Sequence, residues 1–468
     1  MATVGWFPCS IVPSESSTSA VSRFRRRSER RGFRCAVATG CTKENASVSE
    51  PRSRTERELA SSPQRCKVWR DGEFKGSIVK VAGLFAGIGG LENGLALAGH
   101  ETVLTCEIWE PARAVLQSHM PDVPCENDVR DLASLPSNVD LVVGGFPCQD
   151  LSQAGLTAGI SGARSGLVGE VFRLLDERAV PWVVLENVSF MLQLDKGRGM
   201  RTLVEAFEER GYRWAYRVVN SLGFLPQRRE RVLFVATNTE IDPATVLFAD
   251  EIYPELPGTE IDVRSHGFYW TEGVRGLGWA VDAVPTLKNG STVGIASPPA
   301  ILLPWGDVIT PDIRDAERLQ GFSENWTQPA ETVSRASSRW ALVGNAVSVP
   351  VARWLGERLD RPGDHDSARE FALSSAGRWP VAARFDGSQR VGVTINGFPC
   401  WEPRPALADF LRHPGKLLSA RASRGFLSRT ERAKLRFADG FQDRVRAHLH
   451  RMEAGVGPSE AEYAVAAE

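Results

Sequence analysis

No apolar run in the 468 residues approaches the ~18 that a membrane-spanning helix needs, which argues against a helical membrane protein. Cysteine is sparse. The eight stand at 9, 35, 41, 66, 106, 125, 148 and 400, with no C-x-x-C pair and no His/Cys cluster at zinc spacing. That pattern argues against a disulfide framework or a structural zinc and fits a reducing compartment, and no metal site is expected. A surplus of one charge is also missing: 56 Lys and Arg stand against 57 Asp and Glu, a formal net charge of −1. A nucleic-acid partner would have to be met by local basic surface rather than by a global field. Such surface is available at the ends. Residues 1–76 hold 15 Lys/Arg against 8 Asp/Glu, residues 361–468 hold 17 against 13, and the middle is left at −12 by difference. What remains is ordinary for a globular protein, 42% hydrophobic and 24% charged, with length for one large domain plus attachments or for two to three domains.

The stretch 140–152, DLVVGGFPCQDLS, carries the first specific signal. Asp140 to Gly144 reads as a short buried strand, with β-branched Val142 and Val143 in a continuous apolar run. Gly144, Gly145 and Pro147 then constrain a turn that presents one thiol, Cys148, from the carboxyl end of a sheet. Open α/β sheets hold their ligands at that edge. Alone, such a cysteine reads most simply as a small buried side chain closing a turn. Two further stretches change this: Phe85-Ala86-Gly87-Ile88-Gly89-Gly90 upstream and Glu186-Asn187-Val188 downstream. Together the three resemble the DNA (cytosine-5)-methyltransferase family of bacterial type, from about Val79 to about Glu357.

The resemblance implies an α/β fold, a Rossmann-like class I S-adenosylmethionine-dependent methyltransferase domain with a small inserted target-recognition region and a C-terminal extension. Val79 to Ala86 reads as a strand and Leu91 to Ala98 as the helix after it, joined by a glycine turn that is a weak signal by itself. Glu107, 20 residues past Gly87, ends the next strand, where an acid should meet ribose hydroxyls. By resemblance, S-adenosylmethionine is held by Phe85, Gly87, Ile88, Gly89, Gly90, Glu107, Ile108 and Trp109. Asp128, at the adenine amino group, Val129, Pro147, Asn345 and Val347 complete that set.

Residues 149–169, rich in Gly, Ser and Ala, suggest a loop that closes over substrate, with Gln149, Ser152 and Arg164 toward nucleic acid; a flexible surface loop is the other reading. Gly169 to Arg178 and Met200 to Arg210 read as helices, Pro181 to Leu185 and Trp214 to Asn220 as strands. Residues 226–231, PQRRER, resemble the family's Gln-x-Arg-x-Arg, mapping to Gln227, Arg229 and Arg231. The resemblance implies that Arg229 reaches the active site and that Arg231 holds structure, with Gln227 and Arg231 on the nucleic-acid side. Residues 239–284 lose the strand–helix rhythm and read as the target-recognition region, where Arg264, His266, Phe268, Tyr269, Trp270 and Arg275 offer groove contacts. Residues 285–291, 314–322 and 340–351 resemble later family segments, and Val351 to Leu359 should be a helix returning beside the first strand.

The expected division is a basic, disordered tail at 1–76, the catalytic domain in two parts at 77–238 and 285–360 around region 239–284, and a basic extension at 361–468. The tail also admits a transit peptide, a nucleic-acid arm or a mis-set translation start. In the extension, residues 412–451 hold 11 Lys/Arg against 3 Asp/Glu. Extra DNA contact by phosphate neutralisation and a solvated accessory helical region both fit.

The chemistry implied is addition of the Cys148 thiolate to cytosine carbon 6, with Glu186 at ring nitrogen 3, Asn187 orienting the site and Arg229 stabilising the adduct. The base must first leave the duplex. The resemblance implies double-stranded DNA as substrate, a restriction-modification setting with a cognate endonuclease for the same site, a monomer, and a bacterial cytoplasm with nucleoid association through DNA. A tRNA cytosine-5 methyltransferase is the nearest rival; a catalytically idle nucleic-acid-binding protein of the same fold is the other. A small-molecule methyltransferase has no reason to carry Pro147-Cys148-Gln149 together with Glu186-Asn187.

Overall fold

The computed structural model describes residues 78–146, 166–274, 276–290, 298–373 and 378–457. Five strands set the frame: β1 (Lys80–Leu84), β2 (Glu101–Cys106), β3 (Cys125–Glu126), β4 (Leu141–Gly145) and β5 (Trp182–Val188). They run parallel in the order β3-β2-β1-β4-β5. Leu141, Val142 and Val143 are all buried, the unbroken apolar run of a strand covered on both faces. The chain lays β2 and β3 on one side of β1 and then places β4 on the other, so a switch point lies between β1 and β4. A crevice opens at the carboxyl edge of such a point. Register aligns that edge: Leu84 lies opposite both Cys106 and Gly144, and Gly145 opposite Glu186.

Beyond β5 the sheet continues antiparallel through β8 (Glu230–Thr237) and β6 (Arg213–Asn220). Three strands from the C-terminal part, β15 (Ala382–Phe385), β16 (Arg390–Val393) and β14 (Glu370–Ala372), then complete ten strands. Helices α3 (Leu167–Glu177) and α4 (Arg198–Glu208) cover one face, where Val171, Phe172, Leu203 and Phe207 pack on Ala82, Leu84 and Val142. Helices α1 (Gly90–Leu97) and α6 (Val349–Asp360) cover the other, with Leu91, Leu95, Val351 and Leu355 on Val81 and Val143. The returning helix packs directly on α1. A Cβ at Gly94 would fall 2.4 Å from the Ala352 Cβ and 2.6 Å from the Val349 carbonyl. Among the described residues no helix is long and apolar enough to cross a membrane.

A second, five-stranded antiparallel sheet has the order β10-β9-β12-β13-β17. Its strands are β9 (His266–Phe268), β10 (Trp279–Val281), β12 (Ala300–Leu302), β13 (Val308–Thr310) and β17 (Lys416–Leu417). Helices α7 (Ala420–Thr430) and α8 (Phe441–Glu453) close over it, and Phe268, Leu302, Val308, Phe426, Phe441 and Val445 share one core. A short parallel pair, β7 (Gln227–Arg228) with β11 (Val284–Pro285), links the two sheets.

This arrangement differs from the divisions read off the sequence. The 239–284 stretch does not make a unit: Ala244, Val246 and Leu247 belong to the core beneath β6 and β8, and the small sheet draws on residues 300–310. The extension from 361 is shared out, its first half adding strands to the large sheet and its second half closing the small one. The physical reason is area. Phe268 and half-buried Trp279 pack against Phe441, with ring centroids 5.1 and 4.5 Å away, and so short an insertion offers too little apolar surface of its own. The basic tail lies outside the described residues.

Candidate active site

After β1 the backbone turns sharply. Phe85 (φ 55°), Gly87 (φ 57°) and Gly89 (φ 83°) all adopt the left-handed region, where only glycine is unstrained. Gly89 caps α1, and its N–H donates to the Ala86 carbonyl at 2.9 Å. Glu107, just past β2, ties this turn across the crevice: Gly87 N–H donates to its Oε2 at 2.7 Å and Trp109 N–H to its Oε1 at 2.8 Å. Burial raises the Glu107 carboxyl above its ordinary range, opposed by those two N–H groups. Space remains above the turn, since a Cβ on Gly87 would meet nothing within 4 Å. Ile108 is 63% exposed and Trp109 half-buried beside it.

Other residues expected on this side fall differently. The Ile88 side chain is core, packed among Ala112, Val115 and Phe322, and its carbonyl accepts from Trp326 Nε1 at 2.9 Å. Val129 is likewise buried, and its carbonyl is taken by Arg173. Asp128 is held by the Arg130 guanidinium, which keeps its carboxyl below the ordinary range. Gly90 must be glycine for packing, because a Cβ would sit 2.5 Å from the Val347 carbonyl. Val347 therefore lies against the start of α1, and its Cγ2 is 4.0 Å from where a Gly145 Cβ would be. Asn345, the last residue of α5 (Ser338–Asn345), is exposed.

On the β4–β5 side Glu186 faces the bare backbone of Gly145: a Cβ there would come 3.4 Å from Glu186 Oε2. Arg231 Nε approaches Glu186 Oε1 at 3.0 Å. Yet this buried oxygen has no aligned hydrogen bond, so the contact is chiefly Coulombic and the oxygen keeps its accepting capacity. Asn187 acts as a pin. Its Nδ2 donates to the Phe146 carbonyl at 3.0 Å and its Oδ1 accepts from Val188 N–H. It thereby fixes the point from which the chain runs on to Pro147 and Cys148.

The two arginines lie in different surroundings. Arg229 is a brace: Nη1 donates to the carbonyls of Leu287 and Gly344, and Nη2 to that of Ala346 at 2.7 Å. Burial, with the like charge of Arg231, pushes the Arg229 guanidinium down to about 9. Arg231, inside β8 and opposite Val188, is the one beside the carboxylate. Gln227 is wholly buried, its Nε2 donating to the Leu319 carbonyl and its Oε1 accepting from Leu287 N–H, so it joins segments and has no face for DNA. Pro147, Cys148, Gln149, Ser152, Arg164 and Arg275 lie outside the described residues.

Sequence reading missed Phe190, 58% exposed on the 3₁₀ turn Ser189–Leu192 that directly follows Glu186-Asn187-Val188. An exposed aromatic so close to a strand-end acid was the available signal. It also missed the pairing of Lys288 with Glu272 and with the Tyr269 ring, 4.2 Å from its Nζ, which brings the segment after β11 onto the turn after β9.

The family model described as C-5 cytosine-specific DNA methylase matches residues 79–265. The chain is 46% identical over 377 residues to the type II methyltransferase M2.BsuMI of Bacillus subtilis (strain 168), covering 78% of this chain and 96% of that one. It is 34% identical over 322 residues to the type II methyltransferase M.Bsp6I of Bacillus sp. (strain RFL6), covering 60% and 98%. The crystal structure of the S. pombe Dnmt2 methyltransferase matches at 16% identity and a TM-score of 0.43, over 60% of this chain and 98% of that one.

Proposed function

The chain belongs to the C-5 cytosine-specific DNA methylase family, and from that premise we propose that it methylates carbon 5 of cytosines flipped out of duplex DNA through a covalent Cys148 adduct. It is a DNA cytosine-5-methyltransferase. One observation carries the mechanism: Glu186, paired with Arg231, lies beside the end of β4, three residues from Cys148.

Cytosine carbon 5 is a poor nucleophile until carbon 6 is attacked. The Cys148 thiolate adds to carbon 6, which makes carbon 5 the terminus of an enamine. Glu186 hydrogen-bonds to ring nitrogen 3 through a proton held between the two and offsets the charge that develops there. Arg231 steadies that charge from the other side of the carboxyl, a part geometry favours for it over Arg229. After carbon 5 is methylated its proton leaves to a base or water, the Cys148–carbon 6 bond breaks, and aromaticity returns. Asn187 contributes by holding Phe146, two residues before Cys148 in the chain.

Catalysis in this family draws on S-adenosylmethionine, which supplies the electrophilic methyl. The open space over Gly87, the half-buried Glu107 and the exposed Ile108 beside Trp109 fit a nucleoside at the switch-point crevice. Glu107 would meet ribose hydroxyls and Val347 would wall the methyl side. The type II relatives support a restriction-modification role with a cognate endonuclease on the same site, acting on chromosomal DNA in a bacterial cell.

The test is transfer of labelled methyl to duplex DNA and, separately, to tRNA, with Cys148→Ala as control. The expected result is 5-methylcytosine in DNA only, abolished in the variant. Label in tRNA, or transfer that survives in the variant, would overturn the reading.

A further inference from the structure

The second half of the C-terminal part carries many cations, and the structure sorts them. Arg424 pairs with Glu453, Arg444 with Asp262, Arg451 with Asp307, and Arg446 with both Glu431 and Asp443. Arg429 donates to the carbonyls of Trp270 and Glu272. These residues hold the small domain together. Arg432, Lys434 and Arg436 have no such partner among the described residues, and no acid lies between Glu431 and Asp439.

Their setting is ordered. From 432 to 437 the chain alternates: Arg432, Lys434 and Arg436 are exposed, while Ala433, Leu435 and Phe437 turn inward. Phe437 stacks on Phe441 with ring centroids 5.6 Å apart and so anchors the segment to the core. The alternation sets all three cations on the outer side of one short segment between α7 and α8. The segment also starts at a packed junction of the small domain. Arg429 and Thr430, just before it, pack on the 270–273 turn. That turn follows Tyr269, whose ring lies under Lys288 and whose hydroxyl donates to the Thr286 carbonyl next to the Arg229-bound Leu287.

We propose that Arg432, Lys434 and Arg436 form a phosphate-binding rail that seats the DNA backbone against the small domain while the target cytosine is in the crevice. Most arginines of this part pair with an acid or a carbonyl; this run of three cations within five residues has neither an acid among its members nor a side-chain partner among the described residues, and Phe437 ties it to the core. The inference rests on the DNA reading of the active site, and it fixes position without choosing sequence.

The test compares full-length protein with the variant R432Q/K434Q/R436Q in binding a labelled random-sequence duplex over a series of salt concentrations. Each phosphate contact contributes about 0.9 to the slope of log K against log salt, so the expected slope is shallower by about 2 to 3. Binding of S-adenosylmethionine, read by calorimetry, should not change. R432K/R436K should keep most of the slope, and K416Q/R421Q, which removes exposed cations elsewhere on the small domain, should leave it intact. An unchanged slope in the triple variant, or an equal loss in K416Q/R421Q, overturns the rail. Failure of the wild-type protein to methylate DNA at all would instead sink the functional reading.

Discussion

The two arginines of PQRRER show how much one side chain's surroundings decide. Arg229 donates to the carbonyls of Leu287, Gly344 and Ala346 in a fully buried place, so Arg229→Met strips the first two of this donor and leaves Ala346 with Gln320 Nε2 alone. The expected loss is about 3 kcal/mol or more of unfolding free energy, measured in urea, with activity falling because the protein unfolds. Arg231→Met should lower kcat about 10²- to 10³-fold with a smaller loss of Tm, since Arg231 gives up chiefly its contact with Glu186 where Arg229 gives up three carbonyls. Glu92 is a separate case. It is buried beneath Gly83 with neither carboxyl oxygen hydrogen-bonded, and burial, reinforced by the charge of Glu107, pushes its carboxyl up to about 8. Between 4.5 and about 8 the folded chain keeps a proton that the unfolded chain has released, so stability falls as pH rises through that window. Glu92→Gln removes the penalty. The Tm difference between variant and wild type should widen in the variant's favour from pH 5 to pH 9.

At the scale of elements, α1 meets two demands at once. Its first turn must leave room over the crevice, and its outer face must let α6 approach. Gly87→Ala touches only the first: nothing lies near the added methyl, so the expected result is a weaker hold on S-adenosylmethionine, seen as a raised KM, with strain of about 1 kcal/mol. Gly94→Val touches the second, driving side chain into Ala352 and the Val349 carbonyl, and should cost about 1–3 kcal/mol in thermal unfolding. These local features were legible beforehand. The strands at β1, β4 and β5, the glycine turn and the acid after β2 are all written in short windows of apolar run and punctuation. Partnership across distance was not. That Arg231 rather than Arg229 meets Glu186 depends on how β8 registers on β5, and no window of sequence contains both. The small sheet was missed for the same reason, its strands and helices being drawn from residues 266–310 and 416–453.

Across the whole molecule, two buried histidines set the small domain apart. His448 accepts from Val308 N–H through Nδ1 and so donates from Nε2 to the Leu418 carbonyl, pinning α8 to β13 and the start of α7. His266 packs against Trp279, and burial holds both imidazoles below their ordinary range. Below about 6.5, the unperturbed value, the unfolded chain binds protons that the folded chain refuses, so this domain loses stability as pH falls through that window. Hydrogen exchange between pH 7.5 and 5.5 should therefore quicken in 266–281 and 441–453 before it does in β1–β5. The same stitching has a consequence for synthesis. A nascent chain on the ribosome can assemble the crevice for the methyl donor once α6 has emerged, but Phe268 and Leu302 stay uncovered on one side until Phe426 and Phe441 are made. Until then the half-built enzyme presents a greasy, unclosed sheet for a chaperone to guard.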